Sequence, residues 1–336
     1  MPANFFLDEY DMKLLVTIDT EEDNWARYSA TDNPVTNIQR IPDLQTLFDE
    51  FGVRPTYLVS YPVATNLQSV DILKKILKQG KCEIGMHCHS WNTPPFDAKA
   101  AITERDTMLC NLPEAVVHEK MAVLHEAIIN NFGIVPVSFR AGRWGFGPAV
   151  ARSLCKLGYR VDTSVTPYTS WEGYQGPSFT RYDNELFRFG PGGLDDRGPA
   201  GPVLEVPATV GFLQANFKRS AALMNLIDNS LARKLRLTGL LYRLKLLNKV
   251  WLCPELSYAE SMTKLIRRLV ANNHHCLNMS FHSTSLHGGL TDFVREGGEK
   301  DFLRRIGRVL DFCRDLGCEC MTLSEFEKNA DIPIIQ

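Results

Sequence analysis

A chain of 336 residues with 44% hydrophobic and 23% charged positions is long enough to bury a sizeable core, and its formal net charge of -2 excludes a protein that binds nucleic acid through bulk charge. No apolar run approaches the roughly 18 residues of a membrane span. The first twelve residues, MPANFFLDEYDM, lack a basic n-region and carry Asp8, Glu9 and Asp11 where a signal peptide is apolar, which predicts a cytoplasmic protein.

The first element is Lys13 to Ile18, KLLVTI, a near-continuous apolar run of the kind that is buried on both faces of a parallel sheet, and it ends in Asp19-Thr20-Glu21-Glu22-Asp23. A helix follows at Pro42 to Phe51, with proline in its first turn and Gly52 as its stop. Strand Thr56 to Ser60 and a helix from about Val70 to Gln79 come next. Cys82 to Phe96, CEIGMHCHSWNTPPF, then alternates as a strand would and breaks at Pro94-Pro95. The loop from Trp91 to Leu112 is long enough to read as functional or as a lid, and Pro113 to Phe132 reads as a helix with Val117, Met121, Leu124 and Ile128 inward.

Strand Val135 to Phe139 closes on the glycine-rich RAGRWGFG, whose spacing is not a dinucleotide or phosphate-loop fingerprint. Pro148 to Leu157 is helical, and Arg160 to Val165 is a strand carrying Asp162. Thr166 to Pro202 is rich in glycine, proline and aromatic residues, which suit either a sugar ring or packing against the chain's own domain. After strand Val203 to Val206, the stretch Phe217 to Trp251 reads as helical, amphipathic and basic. Its composition fits a helix lying on an anionic membrane surface, or a solvated basic face over an apolar one. A helix at Tyr258 to Asn272, the strand Cys276 to Phe281 ending in His282, the helix Lys300 to Leu316 and the strand Cys318 to Leu323 complete the pattern. The nine cysteines, mostly inside apolar patterns, suit reduced core thiols.

Strands alternating with helices, with polar residues collected at strand ends, predict an α/β fold: a parallel (β/α) barrel, whole or incomplete, with an open doubly wound sheet as the alternative. The barrel is expected over 13–325, with an N-terminal arm at 1–12, a basic helical insertion at about 212–255 and a tail at 326–336. His87 and His89 are two apart in extended chain, so both imidazoles point to one side and can reach one ion. They form either a divalent-metal site at a strand end or a polar strand terminus.

Taken in order, TIDTEED at 17 to 23, EIGMHCHSWNTPPF at 83 to 96, FRAGRWGFGP at 139 to 148, YRVDTSVTP at 159 to 167 and FHSTSL at 281 to 286 resemble the motif series of the polysaccharide deacetylase (NodB-homology, carbohydrate esterase 4 type) family, and more narrowly its WalW-like branch. The resemblance implies a distorted or incomplete (β/α) barrel. It also implies metal-dependent hydrolysis of an N-acetyl group on an amino sugar of a surface-polysaccharide precursor. By the same resemblance Asp19 matches the catalytic base. The acidic metal ligand falls on Thr20 or Glu21, of which only Glu21 is a carboxylate. His87 matches the first metal histidine; the second usually falls four residues on, at Trp91, and His89 is its substitute. Arg140 matches the residue that orients the base, Asp162 the carboxylate that tunes the last histidine, and His282 the proton donor. Trp91, Arg143 and Trp144 are expected to meet the sugar, and the cofactor is one divalent ion, Zn2+ by preference. A sugar-binding or scaffold protein that kept the barrel without the reaction is the alternative, and a serine hydrolase has no G-x-S-x-G elbow to support it.

Overall fold

The computed structural model describes residues 12–96, 102–227, 241, 243, 244 and 246–329. The opening apolar run forms β1 (Lys13–Thr20), buried from Leu14 onward. Then come α1 (Ile41–Phe51), β2 (Thr56–Val59), α2 (Tyr61–Thr65), α3 (Leu67–Lys78), β3 (Glu83–Cys88) and α4 (Glu114–Phe132). Next are β4 (Ser138–Ala141), α5 (Pro148–Leu157), β5 (Val161–Asp162), β6 (Phe187–Gly190), β7 (Gly193–Arg197) and β8 (Val203–Glu205). The remainder is β9 (Val210–Phe212), α6 (Phe217–Ile227), β10 (Lys249–Trp251), α7 (Ala259–Ala271), β11 (Cys276–His282), α8 (Glu299–Asp315), β12 (Glu319–Met321) and α9 (Leu323–Asn329).

The local chemistry of α1 illustrates how the helices are set. Pro42 occupies its first turn, Gly52 takes the left-handed conformation at φ 66° that ends it, and Leu44 and Phe48 are fully buried. Each such side chain contributes about 1.5–3 kcal/mol of transfer free energy.

The main sheet runs β11-β1-β2-β3-β4-β5-β8-β6-β7. It is parallel from β11 to β8, and β6 and β7 add an antiparallel edge. Beside Lys13–Leu15, where β2 has not yet begun, β12 pairs with β1. Between β8 and β11 there is no ladder. The chain after β8 reaches Pro207, which has no N–H to give, and single bonds from Thr209 N to Asn278 O (3.1 Å) and from Asn278 Nδ2 to Val206 O (3.2 Å) span the gap instead. The result is a curled, incomplete barrel, as the alternation predicts.

Two expectations change. The stretch Phe217 to Trp251 is not helical throughout: Lys249–Trp251 is a strand paired antiparallel with Val210–Phe212, because its alternating Val250 is buried against β9. Residues 228–240, 242 and 245 of that stretch lie outside the described residues, as do 1–11 of the expected arm and 97–101 of the expected lid. The tail does not begin at 326, since α9 continues to Asn329 and buries Phe326; only 330–336 lie outside the described residues. All nine cysteines are free. No helix among the described residues is long and apolar enough to cross a membrane.

Candidate active site

Parallel pairing brings the polar strand ends to one side of the barrel. The register sets Asp19 opposite His282 across β1 and β11, and His87 opposite Arg140 across β3 and β4. From β4 the Arg140 side chain crosses the barrel interior to β1, where Nη1 donates to Asp19 Oδ1 at 2.6 Å and Nη2 to Thr17 Oγ1 at 2.6 Å. Its Nε donates to Thr163 O at 3.0 Å, and the whole side chain is buried. A fixed, planar guanidinium therefore holds one carboxylate oxygen of Asp19 and leaves the other facing the site. Burial opposes the charge on Asp19, yet Arg140, with His87 and His282, holds its carboxyl below the usual range.

That other oxygen, Oδ2, lies 4.0 Å from His87 Nε2 and 3.6 Å from His282 Nε2. Beside it, Glu21, His87 and His89 converge. Glu21 Oε2 is 3.4 Å from His87 Nε2 and 3.2 Å from His89 Nε2, and the two Nε2 atoms are 2.9 Å apart. Donors held about 2.0–2.1 Å from one tetrahedral ion lie roughly 3.3 Å from each other, so this triangle has the dimensions of a metal-binding face.

The back of each ring supports the same reading. His87 Nδ1 faces Arg140 O at 3.1 Å and His89 Nδ1 faces Glu22 Oε1 at 2.9 Å, so both rings donate outward and turn their Nε2 lone pairs to the common point. Two lone pairs and a carboxylate facing each other in a buried space call for positive charge between them. Burial would lower the His89 pKa, but the Glu22 and Glu21 carboxylates raise it to about 10, a pull toward positive charge that either a proton on Nε2 or an ion between the three donors satisfies. The three groups are thus able to hold a metal ion, and they are the one such group found among the described residues.

Gly142 makes the approach of these strands feasible. A Cβ there would lie 2.5 Å from His89 Cδ2 and 2.7 Å from Cys88 O. Trp91, at the position where the family's second histidine falls, stacks on the His89 ring at 4.0 Å and 22°. Glu22 is the outward partner of His89, bonded also to Ser60, and Asp23 is turned away to Thr36 and Asn37. Ser283 Oγ accepts from Glu21 N at 3.1 Å, and Ser285 Oγ donates to Glu255, so both serines after His282 are tied to neighbouring acids.

His282 and Asp162 do not meet. Asp162 lies in the interior opposite Glu205 in the β5–β8 register, and its Oδ1 accepts from Ser164 Oγ at 2.6 Å. Its Oδ2 and Glu205 Oε2 are both buried without another partner, the arrangement of two carboxyls that share a proton. Burial raises both, Asp162 to about 6, and the neighbouring Asp162 pushes Glu205 further.

The carboxylate at His282 is Glu255, which sequence reasoning missed. Glu255 Oε2 lies 2.9 Å from His282 Nδ1, and Oε1 accepts from His282 N at 2.9 Å. Burial opposes protonation of His282, but Glu255 first, then Glu21 and Asp19, lift its pKa to about 10. Nothing in the periodicity around Glu255 marks it; its neighbour in space is 27 residues away in the chain.

Above these groups is a cavity of about 470 Å³, whose lining includes Trp91, Arg143 and Trp144. Arg143 and Trp144 both have positive φ, 53° and 59°, a costly conformation for residues with side chains. It lays Trp144 over the Arg140 guanidinium at 4.9 Å and sets Arg143 between the rings of Tyr28 and Tyr174.

No protein-family model and no curated protein matches the chain. Solved structures do. A putative polysaccharide deacetylase from Mycobacterium smegmatis superposes with a TM-score of 0.55 at 14% identity, covering 96% of this chain and 91% of that one. A putative glycoside hydrolase/deacetylase from Parabacteroides distasonis gives 0.56 at 12% identity over 95% and 71%. The Puue allantoinase gives 0.52 at 13% over 96% and 91%. Identities this low speak for the fold, and the fold is the incomplete (β/α) barrel of the polysaccharide deacetylases.

Proposed function

We propose that the protein is a metal-dependent hydrolase that removes an N-acetyl group from an amino sugar of a surface-polysaccharide precursor. The observation that carries this reading is the juxtaposition, on one pocket floor, of the Glu21–His87–His89 set with an arginine-held Asp19 and a carboxylate-held His282. The same fold in solved structures described as a putative polysaccharide deacetylase and a putative glycoside hydrolase/deacetylase supports it.

Glu21, His87 and His89 would hold a divalent ion, and two imidazoles with one carboxylate suit zinc. Bound there, it supplies Lewis acidity toward the amide carbonyl and makes water easier to deprotonate. Asp19, kept ionised by Arg140, takes a proton from the attacking water as the water oxygen bonds to the acyl carbon. His282, held protonated by Glu255, gives its Nε2 proton to the nitrogen as the carbon–nitrogen bond breaks. The products are acetate and the free amine. Asp19 Oδ2 and His282 Nε2, 3.6 Å apart, are placed for the proton gained by one to restore the other.

The test is metal content by mass spectrometry, alongside acetate release, on wild type, His87→Ala and His89→Ala. Near-stoichiometric divalent ion in wild type, lost in both variants together with chelator-sensitive activity, is the expected result. Chelator-resistant acetate release would overturn the reading, and sugar binding without acetate release would favour the non-catalytic alternative.

A place at the inner face of a membrane fits the same reading. Lys218, Arg219 and Arg243 are exposed in the excursion between β9 and β10, together with Leu223, Leu244 and Leu246.

A further inference from the structure

The chain has five tryptophans, and all five, Trp25, Trp91, Trp144, Trp171 and Trp251 among them separated by up to 226 positions, line the one cavity above the Glu21–His87–His89 floor. Exposure rises steadily from that floor. Asp19, Glu21, His87 and His89 are at most 5% exposed, the tryptophans other than Trp91 are half-buried, and Tyr174 and Leu256 at the mouth are 51% and 54% exposed. The chemistry therefore sits at the bottom of a shaft.

Contacts between described residues run round the shaft, with Glu255 and His282 of the floor on one side. Arg143 bridges Tyr28, on the loop after β1, to Tyr174, on the loop after β5, with ring centroids 5.1 and 5.7 Å away. Tyr174 meets Trp171 at 6.3 Å between ring centroids and Trp171 meets Trp251 at 6.4 Å, while Trp144 stacks on Trp171 and lies tilted against Trp251. From Trp251 the chain runs directly to Glu255, which holds His282, and the His282 ring meets Trp25 edge-on at 5.0 Å. Trp25 returns along its own loop to Tyr28 and packs on Phe293 at 5.1 Å on the way. A polymer crossing the site through its middle needs a groove open at two ends, and the run from Tyr28 through Arg143, Tyr174 and Trp171 to Trp251 walls off one end of such a path.

We propose that the aromatic collar admits the terminal ring of an N-acetylated glycan end on and excludes internal units of a polymer. The flat indole faces suit the apolar C–H faces of a sugar ring, and the cavity is of the size that takes one compact ligand. This rests on the amide-hydrolysis reading for its chemistry, but the collar itself is independent of catalysis.

Because every tryptophan lines the cavity, intrinsic fluorescence reports occupancy whether or not anything is hydrolysed. The experiment titrates wild type with N-acetylglucosamine and its dimer and hexamer, and maps the acetates lost from an end-labelled hexamer by mass spectrometry. Expected are a saturating fluorescence change with dissociation constants that agree within about threefold across the three lengths, under the 1.4 kcal/mol that a tenfold gain represents. One acetate is lost per hexamer, at an end. Tyr174→Ala, a change at a half-exposed rim position, opens the collar and lets internal units react or lets affinity rise with length. Length-independent binding without acetate release supports the collar and overturns the hydrolase reading. Loss of internal acetates by wild type, affinity rising about tenfold or more from monomer to hexamer, or no fluorescence change with any of them overturns the collar.

Discussion

Replacing Glu255 by glutamine tests which carboxylate governs His282. The change keeps the shape of the side chain and the acceptor for His282 N, but puts a neutral group 2.9 Å from Nδ1 in place of a charged one. His282 is lifted from 6.5 to about 10 against the opposing effect of burial, and Glu255 is the largest of the groups that lift it. A hydrogen bond to a charged partner is worth about 1.5–3 kcal/mol, and one pH unit is 1.36 kcal/mol, so the His282 pKa should fall by roughly 1 to 2 units. The sign is fixed: a proton donor with a lowered pKa is empty at lower pH. The basic limb of kcat should therefore move down by that amount while the acid limb, which belongs to Asp19, stays in place. The assay is acetate release against pH for wild type, Glu255→Gln and Asp162→Asn. A basic limb that moves in Asp162→Asn and not in Glu255→Gln would refute the reasoning and restore Asp162 to the role the motif resemblance implies.

Gly142→Ala drives a methyl group into the His89 ring and should lower zinc affinity by roughly 10- to 100-fold, the effect seen when a ligand loses its orientation; competition with a chromophoric chelator measures it, and unchanged affinity would remove Gly142 from the argument. Arg140→Met leaves the buried Asp19 charge without its partner and should cost about 3–5 kcal/mol of stability at neutral pH by denaturant titration. Because Asp19 has a depressed pKa in the folded protein, the stability it lends is present above the ordinary carboxylate pKa and is lost as pH falls through the lower folded value. The gap between wild type and Arg140→Met should accordingly narrow toward acid, and a gap that widens there would contradict the pairing. Lys218→Glu with Arg219→Glu should abolish co-sedimentation with anionic liposomes at low salt, and a wild type that does not sediment removes the membrane contact.

Much of this protein is written locally. The unbroken apolar run of β1, the period-two pattern of β3 and the Pro42 and Gly52 limits of α1 each follow from chemistry within a few residues, and so the alternation of strand and helix could be read without coordinates. His87 and His89 were legible as a pair for the same reason, since extended chain turns residues two apart to one side.

What the tertiary structure decided is everything that depends on register and on loops meeting across the barrel. Asp162 sits on a strand end as expected, yet the β5–β8 register turns it to Glu205, and His282 takes its partner from the segment after β10 instead. Lys249–Trp251 joins β9 as a strand although its stretch has helical amphipathicity, because pairing with Val210–Phe212 outweighs a weak local preference. The convergence of five tryptophans on one shaft has no periodic signal at all, for four lie on separate loops at one end of the barrel and the fifth, Trp251, ends β10.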